Sequence, residues 1–232
     1  MTLAHERYVA SRFTKIESRF RDQVDAHDYR LVACIDALSR ITPTTRILDL
    51  GCGKGRFACH LQALGAEVVG LDGSQGMLAH ANRLNRVRGS ALRLPFASQS
   101  FDSVIAIEVF EHLPAAGISQ TLVESRRVLR PGGRLVIVDK NLYSLDAKRP
   151  WLPKVIVKKR DEFNGLWMYP NDAPVREQWL SPARFARRLS RTFTDVKTQF
   201  LMSPEESCKA VFRWIPRSRL MTLWTASVGE KS

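Results

Sequence analysis

The sequence predicts a single α/β domain in which a mostly parallel sheet carries helices on both faces. Short apolar runs typical of buried strands alternate with helical segments from residue 46 to residue 140. A glycine-rich loop follows the first of these strands and leads into a helix. The chain has 232 residues, 44% of them apolar, so it is long enough to bury one large core.

Residues 1–44 are predicted to form a helical prelude. Apolar residues such as Tyr8 and Phe13 recur near one helical face, so two helices are expected here, broken near residues 26–28. The first residues lack the apolar stretch of a signal peptide, and no apolar run reaches about 18 residues. We therefore expect neither a leader peptide nor a membrane span.

The alternating region, residues 45–140, is predicted to be the core of the sheet. Its expected elements are strand 46–50, helix 55–65, strand 67–72, helix 74–85, strand 101–109, helix 118–130 and strand 133–140. Ser74 is a suitable cap for its helix, and Pro131 ends the helix before the last strand. Ligands of such sheets lie beyond the carboxyl ends of the strands, so the site is expected there.

After residue 140 the alternation stops, and residues 141–180 are predicted to form an insertion. A helix over residues 181–193, capped by Ser181 and with Pro182 in its first turn, restores the pattern. Two closing strands that pair antiparallel are expected at 194–202 and 208–215.

Charge and tryptophan content are concentrated at the end of the chain. The formal net charge is +13, and residues 141–232 hold 17 basic and 9 acidic side chains together with all five tryptophans. Such a region favours nucleic acid, a lipid surface or an acidic substrate, although arginines also serve solubility alone. The four cysteines form no CxxC pair, so a reducing compartment, the cytoplasm, is expected.

The loop in ILDLGCGKGRF, residues 47–57, is the strongest indication of function. Its three alternate glycines allow a sharp turn and the close approach of a ligand to the backbone. The loop satisfies the G-x-G-x-x-A dinucleotide pattern, but Asp49 just before the glycines would repel a pyrophosphate. This carboxylate favours a cofactor with a cationic amino-acid end, and Asp72 would accept the hydroxyls of a ribose.

Four segments occur in a fixed order: ILDLGCGKG, VVGLDGSQGML, ALRLPFASQSFDSVIAIEVFEHLP and RRVLRPGGRLVIV. Over about residues 45–140 the chain resembles the class I S-adenosylmethionine-dependent methyltransferases, and within them the ubiquinone-biosynthesis O-methyltransferases. The resemblance implies a Rossmann-like, doubly wound, seven-stranded sheet of order 3-2-1-4-5-7-6 with one antiparallel strand. It also implies S-adenosyl-L-methionine as cofactor.

The resemblance assigns a role to each part of the cofactor site. Asp49 and the glycine loop would hold the methionine part, and Asp72 would bind the ribose. Met77 would lie beside the adenine, or would simply belong to the helix core. At Ser90 the family commonly has an aspartate that faces the adenine amino group, so that charge is absent here. The cofactor residues implied are Asp49, Gly51, Cys52, Gly53, Gly55, Asp72, Gly73, Ser74, Met77, Ser90, Ala91, Ile107 and Glu108.

The segment EVFEHLP contains the predicted catalytic residues, Glu111 and His112. With Glu108 they resemble the Glu-x-x-Glu-His motif of magnesium-dependent members, in which two carboxylates and an imidazole hold the ion. Alternatively, His112 is a general base without a metal, or the segment merely begins a turn before Pro114. Mg²⁺ is therefore an alternative cofactor, and no residue is assigned to a metal.

In this family the stretch after the fifth strand covers the substrate. Here it includes KRPWLPKVIVKKR, from Lys148 to Arg160, with six cations around Trp151 and residues 155–157. Three interpretations remain open. The segment is a membrane-surface patch joined by the C-terminal tail, a nucleic-acid site, or a lid that forms an apolar pocket.

These observations predict a cytoplasmic S-adenosylmethionine-dependent methyltransferase that O-methylates a small apolar or lipid-linked acceptor. In the membrane interpretation it contacts the inner, anionic face of a bilayer. The alternatives are an RNA 2′-O-methyltransferase and a non-catalytic binding protein that keeps the fold.

Overall fold

A computed structural model describes residues 2–38 and 40–229 of the chain. Within them seven strands form one sheet: β1 Arg46–Leu50, β2 Glu67–Asp72, β3 Asn85–Arg88, β4 Phe101–Ile107, β5 Leu129–Lys140, β6 Thr194–Leu201 and β7 Met221–Ser227. Their spatial order is β3-β2-β1-β4-β5-β7-β6. Neighbours from β3 to β5 pair in parallel, whereas β7 is antiparallel to β5 and β6. The predicted fold class is confirmed.

Helices cover the sheet on both faces, and alternate strand residues pack against them. Ile47 and Ile105 belong to one apolar cluster, whereas Leu48 and Val104 belong to the other, as the period of two in a strand requires. The α-helices are α1 Thr2–Lys15, α2 Tyr29–Ala37, α3 Ala58–Ala63, α4 Gln75–His80, α5 Ala115–Val128, α6 Lys154–Phe163, α7 Pro182–Leu189, α8 Pro204–Ser207 and α9 Ala210–Trp214.

Several predicted elements have different bounds in the structure. The helix expected over 74–85 ends at His80 because residues 85–88 form β3, a strand that the sequence analysis missed. The strand expected at 208–215 is wrong, since these residues include α9, and β7 closes the sheet instead. Ser181 precedes α7, but its side chain contacts the hydroxyl of Tyr143 and does not cap the helix.

The strand directions indicate at which edge of the sheet the functional site lies. β1, β2, β4 and β5 all end at this edge, and β6 runs in the same direction as β5. The insertion that follows Lys140 and the segment between Leu201 and Met221 therefore also lie there. In the described ranges, every α-helix is too short or too polar for a bilayer crossing.

Candidate active site

The glycine loop lies at the carboxyl end of β1 and lines a large cavity. The amides of Gly51 and Cys52 donate to the carbonyl of Leu71, at 2.7 and 3.1 Å, which fixes the loop against β2. Gly51 has a φ of 72°, and a Cβ on it would lie 2.5 Å from Cγ2 of Val109. Glycine is therefore required here both for the backbone conformation and for space.

Asp49 has an unpartnered carboxylate oxygen in this cavity. The residue is 3% exposed, and its Oδ2 has no hydrogen-bond partner within the described part of the chain. Burial, with repulsion from Asp72, raises the pKa of Asp49 to about 7. A buried acid without a partner fits a ligand with a cationic group, such as the ammonium of an amino acid.

Asp72 connects the glycine loop to the start of α4. Its Oδ2 accepts from the amide of Gly53 at 2.9 Å, and its Oδ1 accepts from the amide of Ser74 at 2.7 Å. Burial raises the pKa of Asp72, although these backbone hydrogen bonds oppose the rise. Ser74 caps α4 as predicted, through the amide of Met77, and its hydroxyl also meets that of Thr14 on α1 at 2.9 Å.

Twelve of the thirteen predicted cofactor residues line this cavity of about 930 Å³. The exception, Gly55, lies under the loop, where a Cβ would meet Ala81 and Leu84 at 3.4 Å. The structure also brings to the cavity residues that the sequence analysis did not assign. Among them are residues of α1 and of the insertion: His5, Glu6, Val9, Ala10, Phe13, Thr14 and Met168. The helical pattern of the α1 residues was visible in the sequence, but the packing of α1 over the glycine loop was not.

Glu108 follows β4 in a left-handed conformation, with a φ of 58°. Its carboxylate forms an ion pair with Arg30 and lies 3.6 Å from Nζ of Lys140. Burial disfavours the ionised acid, but Lys140, Arg30 and Arg56 lower the pKa of Glu108 to about 2. Backbone strain of this kind is common at functional sites, and here it turns a charged side chain into the cavity wall.

Glu111 lies behind the cavity wall and not in it. Its side chain is fully buried and pairs with the Lys140 ammonium group, which also lies 3.1 Å from Glu177 of the insertion. Burial and repulsion from Asp139, Glu177 and Glu108 raise the pKa of Glu111, although Lys140 opposes this rise. In this arrangement Glu111 is therefore not positioned to contact a substrate in the cavity.

His112 lines the cavity beside Phe13, with ring centroids 5.0 Å apart. Its Nδ1 lies 3.1 Å from the hydroxyl of Tyr169, and its Nε2 lies 3.5 Å from Oε1 of Glu111. Burial and the nearby Lys140 lower the pKa of His112 to about 4, although acids such as Glu177 oppose the shift. The imidazole is therefore neutral at pH 7.

In the structure, the two glutamates of the Glu-x-x-Glu-His motif, which the metal alternative assigns to Mg²⁺, face the ammonium group of a lysine. The carboxylates of Glu108 and Glu111 both face Nζ of Lys140. Across residues 2–38 and 40–229, no group of three histidine, cysteine or acidic residues is arranged to hold a metal ion. Glu108, Glu111 and His112 therefore do not fit a divalent ion in this arrangement.

The insertion turns its basic segment partly inward. Val157 and Lys158, expected to face a membrane, are buried, and Lys158 pairs with Glu162 and lies over the rings of Trp167 and Trp179. In the membrane interpretation the C-terminal tail joins this surface through residues that include Trp224, but the indole of Trp224 is fully buried in β7. The expectation that these residues meet lipid is wrong.

Comparisons with known proteins agree with this geometry. The family described as a methyltransferase domain matches residues 48–137. A demethylmenaquinone methyltransferase from Beutenbergia cavernae is 42% identical over 127 residues, which are 52% of this chain. The chain spans only 48% of that relative's length. A demethylmenaquinone methyltransferase from Staphylococcus haemolyticus is 32% identical over 174 residues, 65% of this chain and 72% of the relative.

The chain belongs to the class I S-adenosylmethionine-dependent methyltransferases. A solved S-adenosylmethionine-dependent methyltransferase from Archaeoglobus fulgidus has a TM-score of 0.64 and 20% identity, covering 85% of this chain and 91% of that one. At this identity the similarity supports the fold alone. The cofactor of the methyltransferase is S-adenosyl-L-methionine, and the unpartnered oxygen of Asp49 fits its ammonium group.

If Asp49 binds the ammonium group of the cofactor, binding should strengthen as the pH rises through about 7. Without ligand the acid has a pKa of about 7, and an ammonium group beside it stabilises the ionised form. Binding at pH 6 must therefore first remove a proton. For S-adenosylhomocysteine we expect a Kd about tenfold larger at pH 6 than at pH 8, measured by calorimetry.

The variant Asp49→Asn should bind more weakly and lose most of this pH dependence. Asp36→Asn, which removes a carboxylate of α2 outside the cavity, serves as the matched control and should behave like the unmodified protein. A pH dependence that persists unchanged in Asp49→Asn would contradict the assignment.

Proposed function

We propose that the methyltransferase transfers the methyl group to an oxygen atom of a small, apolar, quinol-like acceptor. The observation that carries this proposal is the apolar wall of the cavity. Besides the cofactor residues, the side chains of Val9, Phe13, Leu113 and Met168 line it. Its volume of about 930 Å³ lies in the range of small-molecule sites. The two relatives above are demethylmenaquinone methyltransferases, which favours a quinone-like ring.

The chain supplies position, exclusion of water and a proton acceptor for this reaction. S-adenosylmethionine, when bound, supplies a methyl group on a positively charged sulfur. Asp49 would bind the ammonium group of the cofactor and Asp72 its ribose hydroxyls, and α1 covers the glycine loop between them. Holding the acceptor oxygen close to the methyl group provides much of the acceleration in such displacements.

His112 is the residue that we propose as general base. Tyr169 engages Nδ1, whereas the 3.5 Å from Nε2 to Glu111 is too long for a strong hydrogen bond. In this proposal Nε2 would take the proton of the acceptor hydroxyl as the new oxygen–carbon bond forms and the sulfur–carbon bond of the cofactor breaks, which leaves S-adenosylhomocysteine. Tyr169 would position the imidazole, whereas Glu111 is held by its ion pair with Lys140.

Replacing the imidazole should lower turnover without weakening cofactor binding. For His112→Ala we expect kcat to fall by about a hundredfold or more, the usual contribution of a general base. The Kd of S-adenosylhomocysteine should change little. His60→Ala removes another half-buried histidine, hydrogen-bonded to Val24 and outside the cavity, and should retain activity. Full activity of His112→Ala would exclude this role.

The acceptor class can be tested with methyl-labelled S-adenosylmethionine. We expect label in the lipid fraction of a cell extract, and in a purified demethylated quinol, when the enzyme is added. Nuclear magnetic resonance of the product distinguishes an O-methyl from a C-methyl group. Label in RNA would contradict the proposal and favour the RNA 2′-O-methyltransferase, and product carrying only C-methyl groups would contradict O-methylation.

We further propose that the enzyme meets its acceptor at an anionic lipid surface. Residues 213–217, here called the tip, have the sequence RWIPR and are all exposed. Trp214 is 84% exposed and Ile215 is 53% exposed, with an arginine on either side. The tip lies in the segment that joins Leu201 to Met221, at the same edge of the sheet as the cavity.

An apolar tip between cations has the composition of an interfacial contact. The indole and the isoleucine would enter the headgroup region, while Arg213 and Arg217 would meet anionic lipid. Trp151 of the insertion, 77% exposed, follows a loop whose Leu145 donates to the carbonyl of Ser218 beside the tip. This surface replaces the buried residues of α6 as the membrane contact.

Truncation of the tip should reduce binding to anionic vesicles. In flotation with phosphatidylglycerol-containing vesicles, the double change Trp214→Ala and Ile215→Ala should lower the bound fraction several-fold, with turnover of a water-soluble acceptor unchanged. Val123→Ala removes a comparably exposed apolar side chain from α5 and serves as control. Unchanged flotation of the double variant would refute the lipid contact.

A further inference from the structure

Helix α1 places a carboxylate at the end of the cavity where β3 finishes. Glu6 and Ser90 both line this part of the cavity, although 84 residues separate them in the sequence. Oγ of Ser90 lies 2.7 Å from Oε1 and 2.8 Å from Oε2 of Glu6. The amide of Leu92 donates to the same Oγ at 3.0 Å, so the serine hydroxyl is free to donate its hydrogen to Glu6.

Glu6 differs from the other acids of the cavity in what already binds it. Four acidic residues line the cavity in the described part of the chain, and three have assigned partners or roles. Asp72 holds two backbone amides, Glu108 pairs with Arg30 and Lys140, and Asp49 lies at the methionine end. For Glu6, the described residues supply one hydroxyl donor and no ion pair. A carboxylate has about four acceptor positions, so most of its capacity remains open.

The order of the strands indicates which part of the cofactor reaches Glu6. Along the edge of the sheet, β1 carries Asp49, its neighbour β2 ends at Asp72, and the next strand, β3, ends two residues before Ser90. With the amino-acid end at Asp49 and the ribose at Asp72, the base lies on the β3 side. Adenine presents one strong donor there, its exocyclic amino group.

We propose that Glu6, oriented by Ser90, accepts a hydrogen bond from the exocyclic amino group of adenine in the bound cofactor. The acid that the family places at position 90 is thus supplied by a helix from the other end of the domain. A hydrogen bond to a charged acceptor is stronger than one between neutral groups. In a purine with a carbonyl oxygen in place of the amino group, that oxygen and the carboxylate would both be hydrogen-bond acceptors and would repel each other.

This inference rests on S-adenosylmethionine as cofactor and is independent of the acceptor proposed above. Its test is base discrimination, which packing alone would not produce. We expect unmodified protein to bind S-adenosylhomocysteine more tightly than its inosine analogue by roughly 10- to 100-fold, measured by calorimetry. In Glu6→Ala this ratio should fall to within about threefold, because the charged acceptor for the amino group is removed.

Two further variants separate the hydrogen bond from the stability of α1. Ser90→Ala keeps the carboxylate but removes its positioning partner, and should reduce the ratio by less than Glu6→Ala does. Glu17→Gln removes an acid that follows α1 outside the cavity, and should keep the full ratio. Thermal unfolding and circular dichroism verify that each variant is folded. If Glu6→Ala does not fold, the ratio in Ser90→Ala decides the matter.

A ratio that survives in folded Glu6→Ala would overturn the inference, as would equal binding of both nucleosides by the unmodified protein. Either result leaves the cofactor assignment intact, because S-adenosylhomocysteine would still bind. Failure of the unmodified protein to bind S-adenosylhomocysteine at all would instead remove the basis of both.

Discussion

The ammonium group of Lys140, at the carboxyl end of β5, lies among three carboxylates from different parts of the chain. Glu108 directly follows β4, Glu111 belongs to the turn after it, and Glu177 lies near the end of the insertion. One cation cannot neutralise all of these acids together with Asp139 nearby, so burial and repulsion raise the pKa of Asp139 to about 6 and also that of Glu111. Removing one partner of a buried ion pair costs about 3–5 kcal/mol, and here several charges would be left unpaired.

The insertion contacts this cation through Glu177. The Glu177 carboxylate that faces Lys140 also accepts from the indoles of Trp167 and Trp179, at 2.5 and 2.7 Å. The ammonium of Lys158 lies 5.6 and 6.0 Å from the centres of the same two rings. A segment that is basic and rich in tryptophan thus uses part of its charge inside the protein. From the same segment, Tyr169 contacts His112, so the insertion and the proposed base share one network.

The sequence predicted best those features that depend on neighbouring residues. β1 and β2 have their expected bounds, and Ser74 caps α4 as its position indicated. β3 was missed because three of its four residues are polar and mostly exposed, and so short a segment shows no clear alternating pattern. The packing of Lys158 against Trp167 and Trp179 and the contact of Glu6 with Ser90 depend on residues beyond the same element, which local periodicity does not encode.

The reaction class could likewise be predicted from local sequence, whereas the acceptor could not. Residues 48–137, which match the family, include the glycine loop, Asp49 and Asp72, and they form the cofactor end of the cavity. Most of the apolar wall comes from α1 and from Met168, outside that range. These two segments meet directly, since Nε of Arg12 donates to the carbonyl of Met168 at 2.6 Å. Helix α1 therefore contacts both the cofactor end and the insertion, so substitutions of Val9 or Phe13 would alter the shape available to the acceptor without changing Asp49 or Asp72.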